Sequence, residues 1–274
     1  MFRPQATRKS RLGTGFEFLE LLYHATVRQL RGSHSNAVYG MVINVAQAAL
    51  ILVIFVVMFD ILGMRRIAIR GDFVLYVMSG VFMFLTHTKA VAAVSGADGP
   101  ASAMMMHAPM NPVVAVVSAA LASLYQQTFA AIVIMLFYHT LFNPLTFHQP
   151  VGMVAMFLLS WFSGAAIGLI FYAAKPWQPD LVGMLSLIYQ RANMIASGKM
   201  FPASYATAET RALFEWNPLY HTIDHGRAFT FLDYSARFTS IEYPIWCAVI
   251  CIMIGLMGQF FTRKHVSVSW GKRR

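Results

Sequence analysis

The chain has 274 residues, of which 58% are hydrophobic and 12% charged, and its formal net charge is +10. This composition leaves too little polar surface for a soluble helical bundle and argues against that class of protein. The basic residues collect at the ends of apolar segments, without the interleaved aromatic residues of a groove for single-stranded nucleic acid. Anionic lipid headgroups are the expected counter-charge.

An amphipathic helix is predicted over residues 16–31, before the first long apolar segment. Its apolar face repeats at helical spacing in Phe16, Leu19, Tyr23, Val27 and Leu30. The polar face carries Glu17, Glu20, His24, Arg28 and Arg31. Such a helix can lie along the cytoplasmic membrane surface, or dock its apolar stripe on the spans of the protein, and both arrangements remain open.

Six apolar segments are predicted to cross the membrane, because most reach the roughly 20 residues that a hydrocarbon core requires. They cover residues 37–62, 73–95, 113–142, 151–174, 181–197 and 241–262. The fifth is short and is interrupted by Arg191 and Asn193. Gly164 with Gly168, and Gly255 with Gly258, are small-residue pairs that permit close helix approach.

Basic residues before the first span and after the last predict that both termini are cytoplasmic. This orientation places Arg65, Arg66 and Arg70 in the first outer loop, contrary to the usual distribution of basic residues. The prediction keeps the orientation because two strongly basic termini outweigh one loop. The predicted fold is therefore an all-α polytopic membrane protein that forms one domain over residues 1–274.

Two segments between the spans have their own patterns. Residues 98–112 predict a short cytoplasmic helix that exposes the run Met104, Met105 and Met106 and also contains Ala103, His107 and Met110. This methionine surface can dock a partner or pack under the spans, and neither reading is preferred. Residues 198–240 are polar and predict two short outer helices, broken at Asn217-Pro218, that can re-enter the membrane.

Motifs of enzymatic chemistry are absent from the sequence. The pair Gly198-Lys199 lacks the glycine five positions before it and the Ser or Thr after it that a P-loop requires. Among the histidines, only His221 and His225 are spaced for one helical face, and with Asp224 they are too few for a convincing metal site. We therefore predict no catalytic residue, no metal and no cofactor bound by this chain.

This layout resembles the ABC-2 type permeases, the membrane subunits of exporters that are powered by a separate ATPase. The most specific part is Phe201-Pro202, then Asn217-Pro218-Leu219, then Asp224 and Arg227. It is similar to the pattern of that family, and most of all to the branch that exports capsular polysaccharide and lipopolysaccharide O-antigen from Gram-negative bacteria. Gly226 departs from the pattern, and we expect it to loosen its helix.

The resemblance implies a role for each segment. Residues 16–31, with Glu17, Glu20 and Arg28, would form a gate helix, and residues 98–112 a coupling helix that enters the ATPase. The outer-loop motif would comprise Phe201, Pro202, Asn217, Pro218, His221, Asp224 and Arg227. Asp224 and Arg227 would pair with each other near the exit, and the motif would either contact substrate or only shape the re-entrant helices.

The resemblance also implies partners and a location. Two copies of the chain would pair with two nucleotide-binding subunits, which hold the ATP and Mg²⁺, in the bacterial inner membrane. The substrate would be a lipid-linked polysaccharide, and periplasmic and outer-membrane export proteins are further candidate partners. Two alternatives remain: an exporter of a drug or small lipid with the same topology, and a membrane-embedded enzyme of lipid or glycan metabolism that would depend on His221, Asp224 and His225.

Overall fold

The computed structural model describes residues 11–32, 37–63, 71–97 and 111–265, and this part of the chain is helical without strands. A 3-10 turn at Ala203–Tyr205 precedes α7. The helices are α1 (Arg11–Gly32), α2 (Ala37–Ile61), α3 (Phe73–Ser95), α4 (Pro112–Leu141), α5 (Pro150–Ala174), α6 (Pro179–Ala196), α7 (Ala208–Phe214), α8 (Pro218–Thr230) and α9 (Glu242–His265).

Five of these helices are long and apolar enough to cross a membrane. They are Val38–Ile61, Phe73–Ser95, Pro112–Leu141, Pro150–Ala174 and Glu242–Thr262. Two of them begin at side-chain caps: Asp72 accepts from the backbone N–H of Val74 at 2.8 Å, and Asn111 from that of Val113 at 3.1 Å. The chain is thus a helical, multi-pass membrane protein, as predicted.

The fifth predicted span is α6, an 18-residue helix that is less apolar than the other five. At 1.5 Å per residue it is about 27 Å long, slightly short of a typical hydrocarbon core. Just before α6, the Lys175 ammonium donates to the Ser95 carbonyl at 3.3 Å, and just after it the Lys199 carbonyl accepts from Arg227. These contacts place the two ends of α6 at opposite ends of the bundle, although a sixth crossing stays a prediction.

Helix α3 lies at the centre of the bundle and packs against α2, α4, α5, α6 and α8. Its contact with α5 is close because a side chain at Gly164 would overlap the backbone carbonyl of His87. Likewise, a Cβ atom at Gly168 would lie 2.9 Å from the Val94 Cβ atom, and one at Gly255 would lie 2.7 Å from Leu169. The predicted role of the small residues in close helix approach is confirmed.

Helix α1 docks on the start of α4 through a face next to the predicted one. Leu22 and Ala25 are buried there against Val114. Phe16 and Tyr23, from the predicted apolar stripe, are 72% and 66% exposed. Of the two arrangements left open for the stripe, docking on the spans is not seen for its N-terminal half, which remains open to the headgroup region.

The segments predicted to be cytoplasmic share one end of the bundle. The Thr262 hydroxyl, in the last turn of α9, donates to the Ala173 carbonyl at 2.9 Å. This bond lies at the same end of the bundle as the contact between α1 and α4. At the other end, the Gln149 N–H donates to the Phe229 carbonyl at 2.7 Å. That bond joins the loop between α4 and α5 to α8, so two of the three predicted outer segments also meet. Which end faces the cytoplasm stays a prediction.

The predicted coupling segment lies largely outside the described residues. Only its last two positions, Asn111 and Pro112, are described, as the cap and first residue of α4. The six residues predicted to contact the ATPase are among those outside: Ala103, Met104, Met105, Met106, His107 and Met110.

Candidate functional site

The candidate site is the segment from Gly198 to Ser240, in which α8 is nearly buried and is held by side-chain hydrogen bonds. Asn217 caps α8, because its Oδ1 atom accepts from the Leu219 N–H at 3.0 Å. Its amide nitrogen donates to Asn193 Oδ1 at 2.8 Å and to the Ala196 carbonyl at 2.9 Å. The predicted break at Asn217-Pro218 is confirmed, and it fixes the start of α8 to the end of α6.

Asp224 is a buried carboxylate that binds three donors. It accepts from the Ala203 N–H at 3.1 Å, from the Thr239 hydroxyl at 2.8 Å and from the Tyr234 hydroxyl. Burial, together with the adjacent carboxylate, raises the pKa of Tyr234, which keeps this phenol protonated as a donor. A buried carboxylate requires such donors, so Asp224 joins the segments before and after α8 to the helix.

Arg227 is buried on the same helix and binds three backbone carbonyls. Its Nη1 atom donates to Gly198 at 2.8 Å and to Phe201 at 3.0 Å, and its Nη2 atom donates to Lys199. The guanidinium lies 4.3 Å from the centroid of the Tyr76 ring in α3. The planar fork of the guanidinium spreads its donors over two terminal nitrogens in fixed directions, whereas the three donors of a lysine ammonium all radiate from one nitrogen.

The expected ion pair between Asp224 and Arg227 is not formed, although both residues lie within the described chain. Each instead binds groups from other segments, because the turn before α7 and the residues after α8 supply closer partners. The expected loosening at Gly226 is also wrong, since α8 continues through it. A Cβ atom there would lie 2.7 Å from Met83 Sδ, so the glycine lets α8 press against α3.

His221 is held as a neutral ring by two backbone groups. The Ser240 N–H donates to Nδ1 at 3.0 Å, and Nε2 lies 2.7 Å from the Glu215 carbonyl, which assigns the proton to Nε2. Burial lowers the pKa of the ring and reinforces this neutral state. His225 does not join it in a ligand set, and the described residues contain no group of three metal-ligating side chains.

Two residues of the predicted motif complete the packing of this segment. The Phe201 ring lies 5.7 Å from the Phe214 ring, which in turn lies 6.2 Å from Tyr220. Pro202 is buried and begins the 3-10 turn. The seven residues of the outer-loop motif therefore come together at one end of the bundle, and their polar groups are directed into the protein.

The predicted gate residues lie elsewhere. Glu17, Glu20 and Arg28 are exposed on α1, which packs at the opposite end of the bundle from α8. Glu20 contacts His24 at 3.8 Å, one helical turn away. The main packing partner of α1 is α4, so an influence of α1 on the outer-loop motif would pass through the long helices.

Lys199 is a buried residue for which the sequence offered only the incomplete P-loop pattern at Gly198-Lys199. Its side chain is 1% exposed, and its ammonium lies 3.3 Å from the centroid of Phe84 and 4.4 Å from that of Phe55. Among the described residues the ammonium has no hydrogen-bond partner, and burial lowers its pKa to about 7. Cation–π contacts offset part of the desolvation cost, but they leave all three donors unused.

A second polar cluster, also missed, joins α3, α5 and α6. His87 is fully buried, and its Nδ1 atom lies 3.1 Å from the Ser160 carbonyl and 3.1 Å from the Ser163 hydroxyl. Its Nε2 atom lies 2.9 Å from the Tyr189 hydroxyl, which brings α6 to the same point. A histidine inside an apolar span was the available signal, because a buried imidazole requires partners.

The motif therefore has first a structural role, since Asn217, His221, Asp224 and the two Nη atoms of Arg227 bind groups inside the protein. Among the described residues, the buried Nε atom of Arg227 has no hydrogen-bond partner. This arrangement favours a motif that shapes the helices of its own segment over a motif that contacts substrate directly. Comparison of the chain with protein-family models and with curated proteins gave no match.

Proposed function

We propose that this chain is the permease subunit of an ATP-driven ABC exporter that carries capsular or another cell-surface polysaccharide across the inner membrane. The chain supplies the path and the coupling, and a separate nucleotide-binding subunit hydrolyses ATP. The working unit is two copies of this chain with two ATPase subunits. The proposal rests on the resemblance to ABC-2 permeases.

The observation that carries the proposal is the way in which the residues of that resemblance meet. Phe201-Pro202, Asn217-Pro218, Asp224 and Arg227 are dispersed over 27 positions of sequence, yet they belong to one buried, hydrogen-bonded unit. Residues that serve one structural role are expected to meet in the folded protein. A chance match to the family pattern would leave its members in unrelated environments.

The arrangement of the bundle is consistent with this role. Helix α1 and the ends of the described chain around 97 and 111 share one end of the bundle, and the outer-loop motif lies at the other. Helices α3 and α5 join these ends and are in close contact at Gly164. A displacement delivered at the α1 end would thus reach the motif through packed helices that move as rigid bodies.

The proposal is tested by placing a charge in the predicted coupling segment. In cells that depend on this chain for surface polysaccharide, Met105→Glu should abolish export while the protein still inserts into the membrane. ATPase activity of the purified complex should persist but no longer respond to substrate, because an apolar contact with the ATPase has been lost.

Met105→Leu is the matched control, since it preserves an apolar side chain of similar size, and it should export normally. Unchanged export in the Met105→Glu variant would contradict the coupling assignment. Intracellular accumulation of a drug or small lipid, rather than of polysaccharide, would favour the alternative type of exporter.

A further inference from the structure

A cavity of about 400 Å³ lies on α3, between α2 and α6. Three basic side chains line it: Lys89 from α3, Arg191 from α6, and Lys199 from the turn that follows α6. None of the described lining residues is acidic. The cavity thus concentrates positive charge inside a membrane protein without supplying a counter-ion of its own.

The Lys199 ammonium is the group in this cavity that most clearly requires a partner. It is 1% exposed, it lines the cavity, and it lacks a hydrogen-bond partner. Lys89 is half-buried and has only a long contact of 3.4 Å with Gln47 Oε1. Buried ammonium groups are normally paired, so these two lysines indicate a negatively charged partner that the described residues do not provide.

The rim of the cavity indicates where such an anion comes from. Ile54 of α2 and Leu187 and Met194 of α6 are lining residues that are 44–60% exposed. The described chain leaves these apolar side chains of α2 and α6 uncovered, so they are available for contact with lipid hydrocarbon. A molecule that fits both surfaces has an anionic group for the lysines and an apolar chain for the rim.

We propose that this cavity binds the phosphate of an anionic membrane lipid, with Lys199 as its innermost ligand. Lys89 and Arg191 complete the cationic wall, and the lipid chain passes over Ile54, Leu187 and Met194. The low pKa of Lys199 agrees with this assignment, because an adjacent phosphate would restore the charge that burial disfavours. The backbone carbonyl of Lys199 is bound by Arg227, so an occupied site would also brace the outer-loop motif.

The test compares lipids that differ only in headgroup charge. The full chain, purified in mild detergent, is incubated with phosphatidylglycerol or phosphatidylcholine of identical acyl chains, and retained lipid is measured by native mass spectrometry. Wild-type protein should retain the anionic lipid about tenfold better. Lys199→Met should lose that preference, as expected for one lost contact between ammonium and phosphate.

Lys264→Met is the matched control, because it removes one positive charge from the exposed end of α9, and it should retain the preference. Arg191→Gln, at the exposed rim, should weaken it several-fold, and this variant keeps the test informative if Lys199→Met fails to fold. Inorganic phosphate should compete poorly, since it lacks the apolar chain.

Equal retention by the wild type and Lys199→Met, or equal retention of the two lipids by the wild type, would overturn the proposal. Complete displacement by inorganic phosphate would overturn the lipid as the source of the anion. The measurement uses no ATPase, so its failure would leave the exporter function untouched, and failure of the exporter function would leave this site in place.

Discussion

Replacing Arg227 by Met should destabilise the outer-loop segment more than any exposed substitution in it. The side chain donates to the carbonyls of Gly198, Lys199 and Phe201, and the methionine would leave all three without this donor. At about 1 kcal/mol for each lost hydrogen bond, the free energy of unfolding should fall by about 3 kcal/mol. For a domain of this size, that loss corresponds to a decrease in Tm of roughly 6–12 °C.

The assay is thermal unfolding of the purified protein in detergent, followed by tryptophan fluorescence. Trp216 lies between α7 and α8 and reports on the segment directly. Arg237→Met is the control, because Arg237 is exposed in the same segment, and it should unfold within about 1 °C of the wild type.

Arg227→Lys distinguishes the geometry of the donors from the charge alone. The lysine keeps the charge, but its shorter side chain carries all its donors on one nitrogen, in place of the two nitrogens that bind the three carbonyls here, so it should lose most of the same stability. A wild-type Tm for Arg227→Met would refute the assignment of Arg227 as the organising residue. A wild-type Tm for Arg227→Lys would refute the argument from the planar fork.

Three further predictions concern other parts of the structure. In detergent-purified protein freed of anionic lipid, Lys199 releases in the folded state a proton that the unfolded chain still binds. The stability of the wild type relative to Lys199→Met should therefore rise between pH 7 and 10, by up to about 1.4 kcal/mol per pH unit, and a flat difference in denaturation would contradict this. Gly164→Ala should lower the Tm, because the added methyl group would overlap the backbone of α3. Gly183→Ala, with open space around it, should stabilise α6 by about 0.5–1 kcal/mol. Similar Tm shifts for the two variants would contradict the close contact between α3 and α5. Tyr234→Phe removes one donor to Asp224 and should cost about 1–2 kcal/mol in thermal unfolding, and no loss would argue against that bond.

The helical membrane fold could be predicted because its signals are local. Apolar length identifies a span, and the break at Asn217-Pro218 follows from the restricted backbone of a residue before proline. The helix bounds agree with the predicted spans to within about two residues in most cases. The least certain span, α6, is also the helix that falls short of the others in apolar character.

The partners of the buried charges could not be predicted in the same way. Asp224 and Arg227 are three positions apart, and helical spacing alone predicts that they pair. Their actual partners lie up to 29 positions away, in turns whose path depends on the tertiary structure. The position of Lys199 between two phenylalanines of α2 and α3 likewise has no local signature, because three separate elements create it.

The face of α1 that docks on the protein could not be predicted from hydrophobic periodicity. The repeat of Phe16, Leu19 and Tyr23 correctly indicates an amphipathic helix, but in a membrane protein an apolar face can contact either lipid or protein. Burial of Leu22 and Ala25 against Val114 decides the matter in the structure. Hydrophobic pattern alone cannot separate the two environments, since both are apolar.

The measurement that tests the proposed function most directly is the composition and mass of the native complex. The chain is affinity-purified from its own membrane in mild detergent, and its co-purifying proteins are identified by mass spectrometry with the native mass of the assembly. The account predicts two copies of this chain with two copies of a P-loop ATPase. A chain that is recovered alone and stimulates no ATPase would contradict the exporter function.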